Sequence, residues 1–85
     1  MVHAFFMEQN IDQVDIGYHI KQTLRRQERS GAWLARKLFT DASNVSKLLK
    51  RKHIDTELLL RISLILDEDF FAYYSEKFRA HRRLR

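Results

Sequence analysis

The sequence predicts a small all-α domain of five short helices, and three observations support this fold class. The 85 residues include no proline and two glycines, too few for the many turns of a β-sandwich or barrel. Apolar residues recur at intervals of three and four, which gives a helix one apolar face, and no segment alternates as a strand does. With 45% hydrophobic and 32% charged residues, the composition is that of a folded chain.

The first two helices are predicted from short blocks of this spacing. Ile16, Ile20 and Leu24 define one face of a helix that is expected to end at about Glu28. Ser30 is a favourable N-cap, and Gly31 beside it is expected to break the preceding helix. A second helix then places Leu34 and Leu38 on one face, with Ala35 between them.

The third and fourth helices each follow an aspartate that can serve as an N-cap. Asp41 precedes the third helix, which is expected to reach about Arg51. Asp55 and Thr56 precede the fourth, with Glu57 in the first turn, where an acid suits the helix dipole. The apolar positions of the third helix are Val45, Leu48 and Leu49, and those of the fourth are Leu58, Leu59, Ile62, Ile65 and Leu66, widened by Leu60 and Leu64.

The fifth helix is predicted to start at Phe70, after an Asp69 cap, and to end at about Phe78. Its aromatic residues either close a small core or form a dimer interface, where Tyr and Phe are enriched. Phe70, Phe71, Tyr74 and Phe78 can form one stripe, with Tyr73 projecting elsewhere. The chain therefore divides into an acidic N-terminal segment (1–15), a helical domain (16–77) and a basic tail (78–85) that is expected to fray.

Charge is strongly segregated along the chain. Residues 16–53 carry ten basic and two acidic groups, residues 54–76 carry six acids and one arginine, and the last nine residues carry five basic groups. A surface polarised in this way attracts an anionic polymer. The alternative is an ordinary solvated face with an incidental imbalance.

No set of residues suggests catalysis, so the chain is expected not to be an enzyme and to use no cofactor or metal. It has no cysteine, which excludes disulfides and thiolate chemistry. Its four histidines are scattered and are expected to lie on the surface, and two glycines cannot build a phosphate-binding loop. With no signal peptide and no apolar run long enough to span a bilayer, the expected location is the cytoplasm, in association with the nucleoid.

The clearest functional indication is the pair of helices over residues 30–51. The second of the two has an apolar inner face and a small, polar and basic outer face. A helix in the major groove of DNA needs this composition, because small residues permit close approach, polar tips contact base edges and basic groups contact phosphates. A generic amphipathic helix is the alternative.

Residues 16–74 resemble the lambda-repressor/Cro-type (xenobiotic-response-element type) helix-turn-helix family. The resemblance rests on Ile16-Gly17 and Ile20, on SGAWLARKL at 30–38, on DASNVSKLLK at 41–50 and on IDTELLLRISLIL at 54–66. It implies a lambda-repressor-like helix-turn-helix domain that binds double-stranded DNA, commonly as a homodimer, to control transcription. No small-molecule ligand is implied.

The resemblance also implies which residues contact DNA. Ala42, Ser43, Ser46 and Lys47 would face base edges, with Asn44 near the bases or the backbone. The phosphate-contacting set would be Ser30, Gly31, Lys50, Arg51, Lys52 and His53.

Three positions depart from the family pattern. Phe39 occupies a turn position where the family usually has glycine, so either the turn differs or burial of the ring offsets the strain of a left-handed backbone. Gly31 replaces a side chain that is often polar in the family. Trp33 lies at a position that usually faces solvent, where it either covers the core or serves a partner.

Taken together, these features predict a sequence-specific, repressor-like regulator of transcription that places a helix at about 42–51 in the major groove. The alternative is a small interaction module, antitoxin- or adaptor-like, that captures a protein through its aromatic C-terminal helix. A third reading is a nonspecific binder of nucleic acid or of an anionic surface.

Overall fold

A computed structural model describes residues 13–83, which form five α-helices and no strand. For this part of the chain the predicted all-α class is confirmed. Most of the predicted N-terminal segment and the last two residues lie outside the described range. The helices are α1 (Ile16–Arg26), α2 (Gly31–Lys37), α3 (Ala42–Leu48), α4 (Thr56–Leu66) and α5 (Ala72–Arg83).

Polar side chains cap the first four helices. The carboxylate or hydroxyl of each cap accepts a hydrogen bond from the backbone N–H three residues further on, at 2.8 to 3.3 Å. This bond satisfies one of the amide groups that a helix start leaves without an intrahelical partner. The predicted caps Ser30, Asp41 and Asp55 are confirmed, and Asp15 caps α1 in the same way.

The C-terminal ends of α1, α2 and α4 are closed by residues with a left-handed backbone. Glu28, Phe39 and Asp67 have φ angles of 56°, 56° and 53°. After each of them, the next residue donates its N–H back to a carbonyl in the last turn, at 2.9 to 3.0 Å. This bond belongs to a common helix-ending motif that usually places glycine at the left-handed position.

Gly31 does not break the first helix, and that prediction was wrong. α1 ends at Arg26, earlier than the predicted Glu28, and the left-handed Glu28 reverses the chain. Gly31 instead begins α2 with a backbone that is not left-handed.

One face of each of the first four helices contributes to a single core. The predicted Ile16, Ile20 and Leu24 are buried, as is Val45 on α3. On α4, Leu60 and Leu64 were expected to widen the apolar stripe, but they are 45% and 73% exposed because they lie on the far side of the helix from the core. The buried apolar residues are Val14, Ile16, Ile20, Leu24, Leu34, Ala35, Val45, Leu48, Leu59, Ile62, Leu66 and Phe70.

α1 begins against the loop that joins α3 to α4. The N–H groups of Ile16 and Gly17 donate to the carbonyl oxygens of Lys52 and Arg51, at 3.4 and 2.9 Å. A Cβ at position 17 would lie 2.5 Å from the carbonyl oxygens of Leu49 and Arg51, so only glycine permits this approach. The loop is therefore held in place by backbone bonds to α1.

α5 is longer than predicted and starts later, since it runs from Ala72 to Arg83. The expected frayed tail is thus helical up to Arg83, and basic groups in a last turn suit the helix dipole. Before the helix, Phe70 is fully buried in the core. Tyr73, which was expected to project elsewhere, stacks on His19 with ring centroids 3.7 Å apart. His19 is therefore half-buried rather than a surface histidine.

Candidate nucleic-acid interface

α3 presents two distinct sides. Val45 is 1% exposed and Leu48 is 5% exposed, so both face the core. At 3.6 residues per turn, Ser43 lies opposite this face, with Ser46 and Lys47 on either side of it, and all three are exposed. Ala42 and Asn44 are exposed as well. The predicted base-contacting residues therefore all lie on the solvent-facing surface of α3.

α3 is shorter than the predicted 42–51. It ends at Leu48, and the N–H groups of Lys50 and Arg51 donate to the carbonyls of Lys47 and Leu48 at 3.1 and 3.0 Å. These bonds span three residues, a tightening that is frequent at helix ends. The predicted phosphate-contacting residues after α3 thus lie in a turn and loop, where all of them are exposed, namely Lys50, Arg51, Lys52 and His53.

A groove of about 250 Å³ lies between α3 and the start of α2. It brings together Gly31, Ala42, Ser46 and Lys50, which were predicted separately as base and phosphate contacts. Lys21 of α1 lines the same groove and was missed. Nothing in the local spacing marks Lys21, because only the packing of α1 beside α3 brings it to this surface.

A second groove, of about 230 Å³, lies on the opposite side of α3. Its apolar floor includes Leu38, Leu48 and Leu58, and two predicted basic contacts, Lys47 and Arg51, stand at its edge. The predicted site residues are therefore divided between the two flanks of α3.

A polar cluster occupies the first turn of α3. The carboxylate of Asp41 accepts hydrogen bonds from the backbone N–H of Asn44 at 2.9 Å and from the Ser43 hydroxyl at 2.8 Å. These two bonds hold the pKa of the Asp41 carboxyl below its usual range, the Asn44 bond being the larger cause. The side-chain amide of Asn44 donates to the Thr40 hydroxyl at 2.8 Å. The side chains of Ser43 and Asn44 thus already have local partners.

Phe39 lies in the turn between α2 and α3, and neither of the two expectations for it holds. These were a turn without a left-handed backbone, or a buried ring that offsets the strain. The backbone of Phe39 is left-handed, with a φ of 56°, a conformation that glycine adopts at no steric cost. The ring is 92% exposed, so its burial offsets none of the strain.

Trp33 lies on α2 and covers part of the core. It is partly buried against the hydrophobic cluster. The Arg29 guanidinium lies 4.0 Å from its ring centroid, and the Lys37 ammonium lies 5.6 Å from it. Both distances fall within the range of cation–π attraction. The ring therefore anchors two basic side chains near the ends of α2.

Ser30 uses its hydroxyl as the cap of α2, where it accepts a hydrogen bond from the Trp33 N–H at 3.0 Å. Phosphate contacts by Ser30 and Gly31 were expected through backbone N–H groups, and the cap leaves that prediction open.

Across the described residues, one ion pair lies within 4.0 Å, between Arg26 and Glu68 at 3.7 Å. The basic side chains of α3 and of the loop after it consequently have no carboxylate partner among residues 13–83. In the same range, no group of three or more potential metal ligands comes together. None of the described helices is long and apolar enough to cross a bilayer.

Comparison of the chain with protein families, with curated proteins and with solved structures finds no match.

Proposed function

We propose that this protein binds double-stranded DNA sequence-specifically, with α2 and α3 acting as a helix-turn-helix unit and α3 lying in the major groove. The observation that carries the proposal is the exposed side of α3. Ser43, Ser46 and Lys47 stand on the face opposite Val45 and Leu48. Short polar side chains allow the helix to approach base edges, and a lysine tip can contact guanine acceptors.

The electrostatic surroundings of α3 support the same proposal. Lys21 and Lys50 flank one side of the helix, while Lys47 and Arg51 flank the other. The one carboxylate at the start of α3, that of Asp41, is occupied by hydrogen bonds from its own helix. Phosphates on both sides of a groove would therefore meet basic groups. This arrangement suits a repressor-like regulator of transcription in the cytoplasm.

Selection of bound sequences from a random duplex pool tests the proposal. We expect a defined consensus and a plot of log K against log salt with a slope steeper than about −4, since each phosphate contact contributes about −0.9. A pool that shows no enrichment would contradict sequence-specific binding and favour a nonspecific polyanion binder.

Two lysine variants separate base contacts from phosphate contacts. Lys47→Ala should reduce discrimination at particular base pairs by about 1–3 kcal/mol. Lys50→Ala should weaken binding to all sequences alike and make the salt slope shallower by about 0.9. Arg61→Ala is the matched control, because Arg61 is an exposed basic residue on α4, outside the α2–α3 pair. An unchanged sequence preference in Lys47→Ala would remove Lys47 from the base-contacting set.

We also propose that the protein is a homodimer joined through the aromatic residues of α5. Tyr74 is 38% exposed and Phe78, one turn later, is 63% exposed. One domain carries one major-groove helix, α3, and would cover one half-site of DNA, whereas a dimer joins two half-sites about 34 Å apart. In a dimer, these two rings would be buried against the partner protomer, whereas within the described residues of one protomer they are exposed to solvent.

Sedimentation of the double variant Tyr74→Glu/Phe78→Glu tests this interface. We expect a folded monomer, because α5 contains no buried residue. Tyr73→Glu is unsuitable here, because it would also break the stack on His19. A monomer at high micromolar concentration for the unmodified protein, together with full-affinity DNA binding, would contradict the dimer. A stoichiometric complex with a different protein would favour the interaction-module alternative.

A further inference from the structure

We infer that the groove between the end of α2, α3 and the start of α4 is a binding site for a small apolar carboxylate, and that this ligand competes with DNA. The groove has a volume of about 230 Å³. Binding of the carboxylate does not depend on the proposed function. The competition rests on that function, because two residues of the groove, Lys47 and Arg51, are also proposed DNA contacts.

The floor of the groove is apolar and is built where α2, α3 and α4 meet. Leu38 is the C-cap of α2, Leu48 is the last residue of α3 and Leu58 lies in the first turn of α4. Leu48 is buried, whereas Leu38 and Leu58 are half-buried against the core. A ligand that covers these leucines removes apolar surface from water, which favours binding. A fully hydrated anion gains nothing from this floor.

One edge of the groove is cationic. Lys47 and Arg51 line it four residues apart, and both are exposed. No carboxylate lines the groove, and none lies within 4.0 Å of either basic group among residues 13–83. A guanidinium can bind a carboxylate through two parallel N–H donors, so Arg51 suits a carboxylate ligand. Lys47 adds a second positive charge.

Backbone bonds on both sides hold Arg51 at this edge. Its N–H donates to the Leu48 carbonyl at 3.0 Å, and its own carbonyl accepts the Gly17 N–H at 2.9 Å. Elsewhere in the lining, the Asn44 side-chain amide donates to the Thr40 hydroxyl at 2.8 Å. The backbone that carries the guanidinium is therefore fixed before a ligand binds, which lowers the ordering cost of binding.

An apolar floor beside a cationic edge matches a ligand that is apolar at one end and anionic at the other. The groove is smaller than the pockets of about 300–1,000 Å³ that hold drug-sized ligands, so it suits a smaller molecule. Its alkyl or aryl chain would cover the leucines while its carboxylate reaches Arg51. The competing occupant is an acidic partner protein that inserts one apolar side chain. The small volume favours the small molecule.

Titration with phenylbutyrate, followed by NMR shifts of the leucine methyl groups, tests the site. Phenylbutyramide keeps the apolar chain without the charge, and inorganic phosphate supplies charge without the chain. Phenylbutyrate should shift the methyl groups of Leu38, Leu48 and Leu58 saturably. The amide should bind about tenfold more weakly, since it lacks a charged hydrogen bond. Equal affinity for the amide or for phosphate would overturn the inference.

Arg51→Gln is the test variant, and Arg61→Gln is its matched control, because Arg61 is an exposed arginine of α4 that does not line the groove. Arg51→Gln should weaken phenylbutyrate binding about tenfold, whereas Arg61→Gln should leave it unchanged. Far-UV circular dichroism verifies that both variants are folded. Unchanged binding by Arg51→Gln would overturn the inference. Methyl shifts caused by an acidic, leucine-containing peptide but not by phenylbutyrate would assign the groove to a protein partner and overturn it as well.

Release of DNA tests the competition. Ionic strength is matched with sodium chloride, because DNA affinity falls as salt rises. At a phenylbutyrate concentration ten times its own Kd, the apparent Kd for the selected duplex should rise about elevenfold. Methyl shifts without release of DNA would overturn the competition. Absence of sequence-specific DNA binding in the unmodified protein would overturn the proposed function, and the methyl titration would still decide the ligand site.

Discussion

The backbone N–H of Gly17 donates to the carbonyl oxygen of Arg51 at 2.9 Å, so the start of α1 and the loop after α3 are held in direct backbone contact. This contact fixes the loop that carries Lys50, Arg51 and Lys52 relative to the core. It depends on the absence of a side chain at position 17, because backbone atoms rather than flexible side chains occupy the space that a Cβ would need.

Gly17→Ala should therefore destabilise the protein by about 1–3 kcal/mol, the usual cost of forcing an extra carbon into packed structure. Gly31→Ala is the control, since its Cβ would lie 3.5 Å from Val45 Cγ1, an ordinary van der Waals distance. It should change stability by less than about 1 kcal/mol. Thermal denaturation of both variants measures the difference, and equal melting temperatures would show that α1 can move away from the loop at little cost.

Phe39→Gly should stabilise the protein by about 1 kcal/mol. A left-handed backbone costs a non-glycine residue about 1–2 kcal/mol, and the larger conformational entropy of glycine in the unfolded state offsets part of that gain. Phe39→Ala separates the backbone from the ring. It removes the exposed ring but keeps a Cβ in the left-handed conformation, so its stability should stay near that of the unmodified protein. Chemical denaturation gives both values, and a loss of stability in Phe39→Ala would show that the ring makes a stabilising contact.

Val45→Asp and Ser46→Asp place the same carboxylate at a buried and at an exposed position of α3. Val45 is buried, so an unpaired charge there should cost several kcal/mol and bring the melting temperature near or below room temperature. Ser46 is exposed, so its variant should fold normally and lose DNA affinity through repulsion of phosphates. Melting curves and DNA titrations distinguish the two, and a Val45→Asp variant that melts like the parent would contradict the orientation of α3.

Ser43→Ala should raise the pKa of Asp41 part of the way towards its ordinary value, because it removes one of the two main hydrogen bonds that lower it. The Asn44 N–H is the larger cause and should keep the pKa below that value. Since the folded-state pKa is lowered, the Asp41 contribution to stability is complete above the unfolded pKa of about 3.9 and is lost as the pH falls through the folded value.

An NMR titration of the Asp41 carboxyl measures this effect. Ser46→Ala is the control, since no hydrogen bond joins Ser46 to Asp41. An unchanged Asp41 pKa in Ser43→Ala would mean that the Ser43 hydroxyl does not donate to the carboxylate in solution.

The starts of α2, α3 and α4 could be predicted from this sequence, whereas the end of α1 and the start of α5 could not. Ser30, Asp41 and Asp55 act within three residues of their own position, so local chemistry identifies them. The ends at Glu28, Phe39 and Asp67 lack the glycine that normally signals a left-handed residue. In each case the following residue donates its N–H to a carbonyl five residues earlier, and the residue type at the left-handed position does not signal that bond.

The candidate site also contains residues that local sequence identifies and residues that only the packing of the helices brings to it. The exposed face of α3 follows from the helical repeat of its apolar residues, so the exposure of Ser43, Ser46 and Lys47 could be predicted. Lys21 was missed because it reaches the site only through the packing of α1. The basic run at the end of α5 was expected to fray, but it is helical up to Arg83.

α5 attaches to the rest of the fold by contacts that leave none of its own residues buried. Segments with few buried contacts open in local steps that cost less free energy than global unfolding. The amide hydrogens of α5 should therefore exchange with solvent well before those of α1 or α4, whose inner faces lie in the core. A ligand that binds only the closed helix would slow this exchange in proportion to its occupancy. The rate of hydrogen exchange at α5 therefore reports ligand binding to this helix without a chemically attached probe.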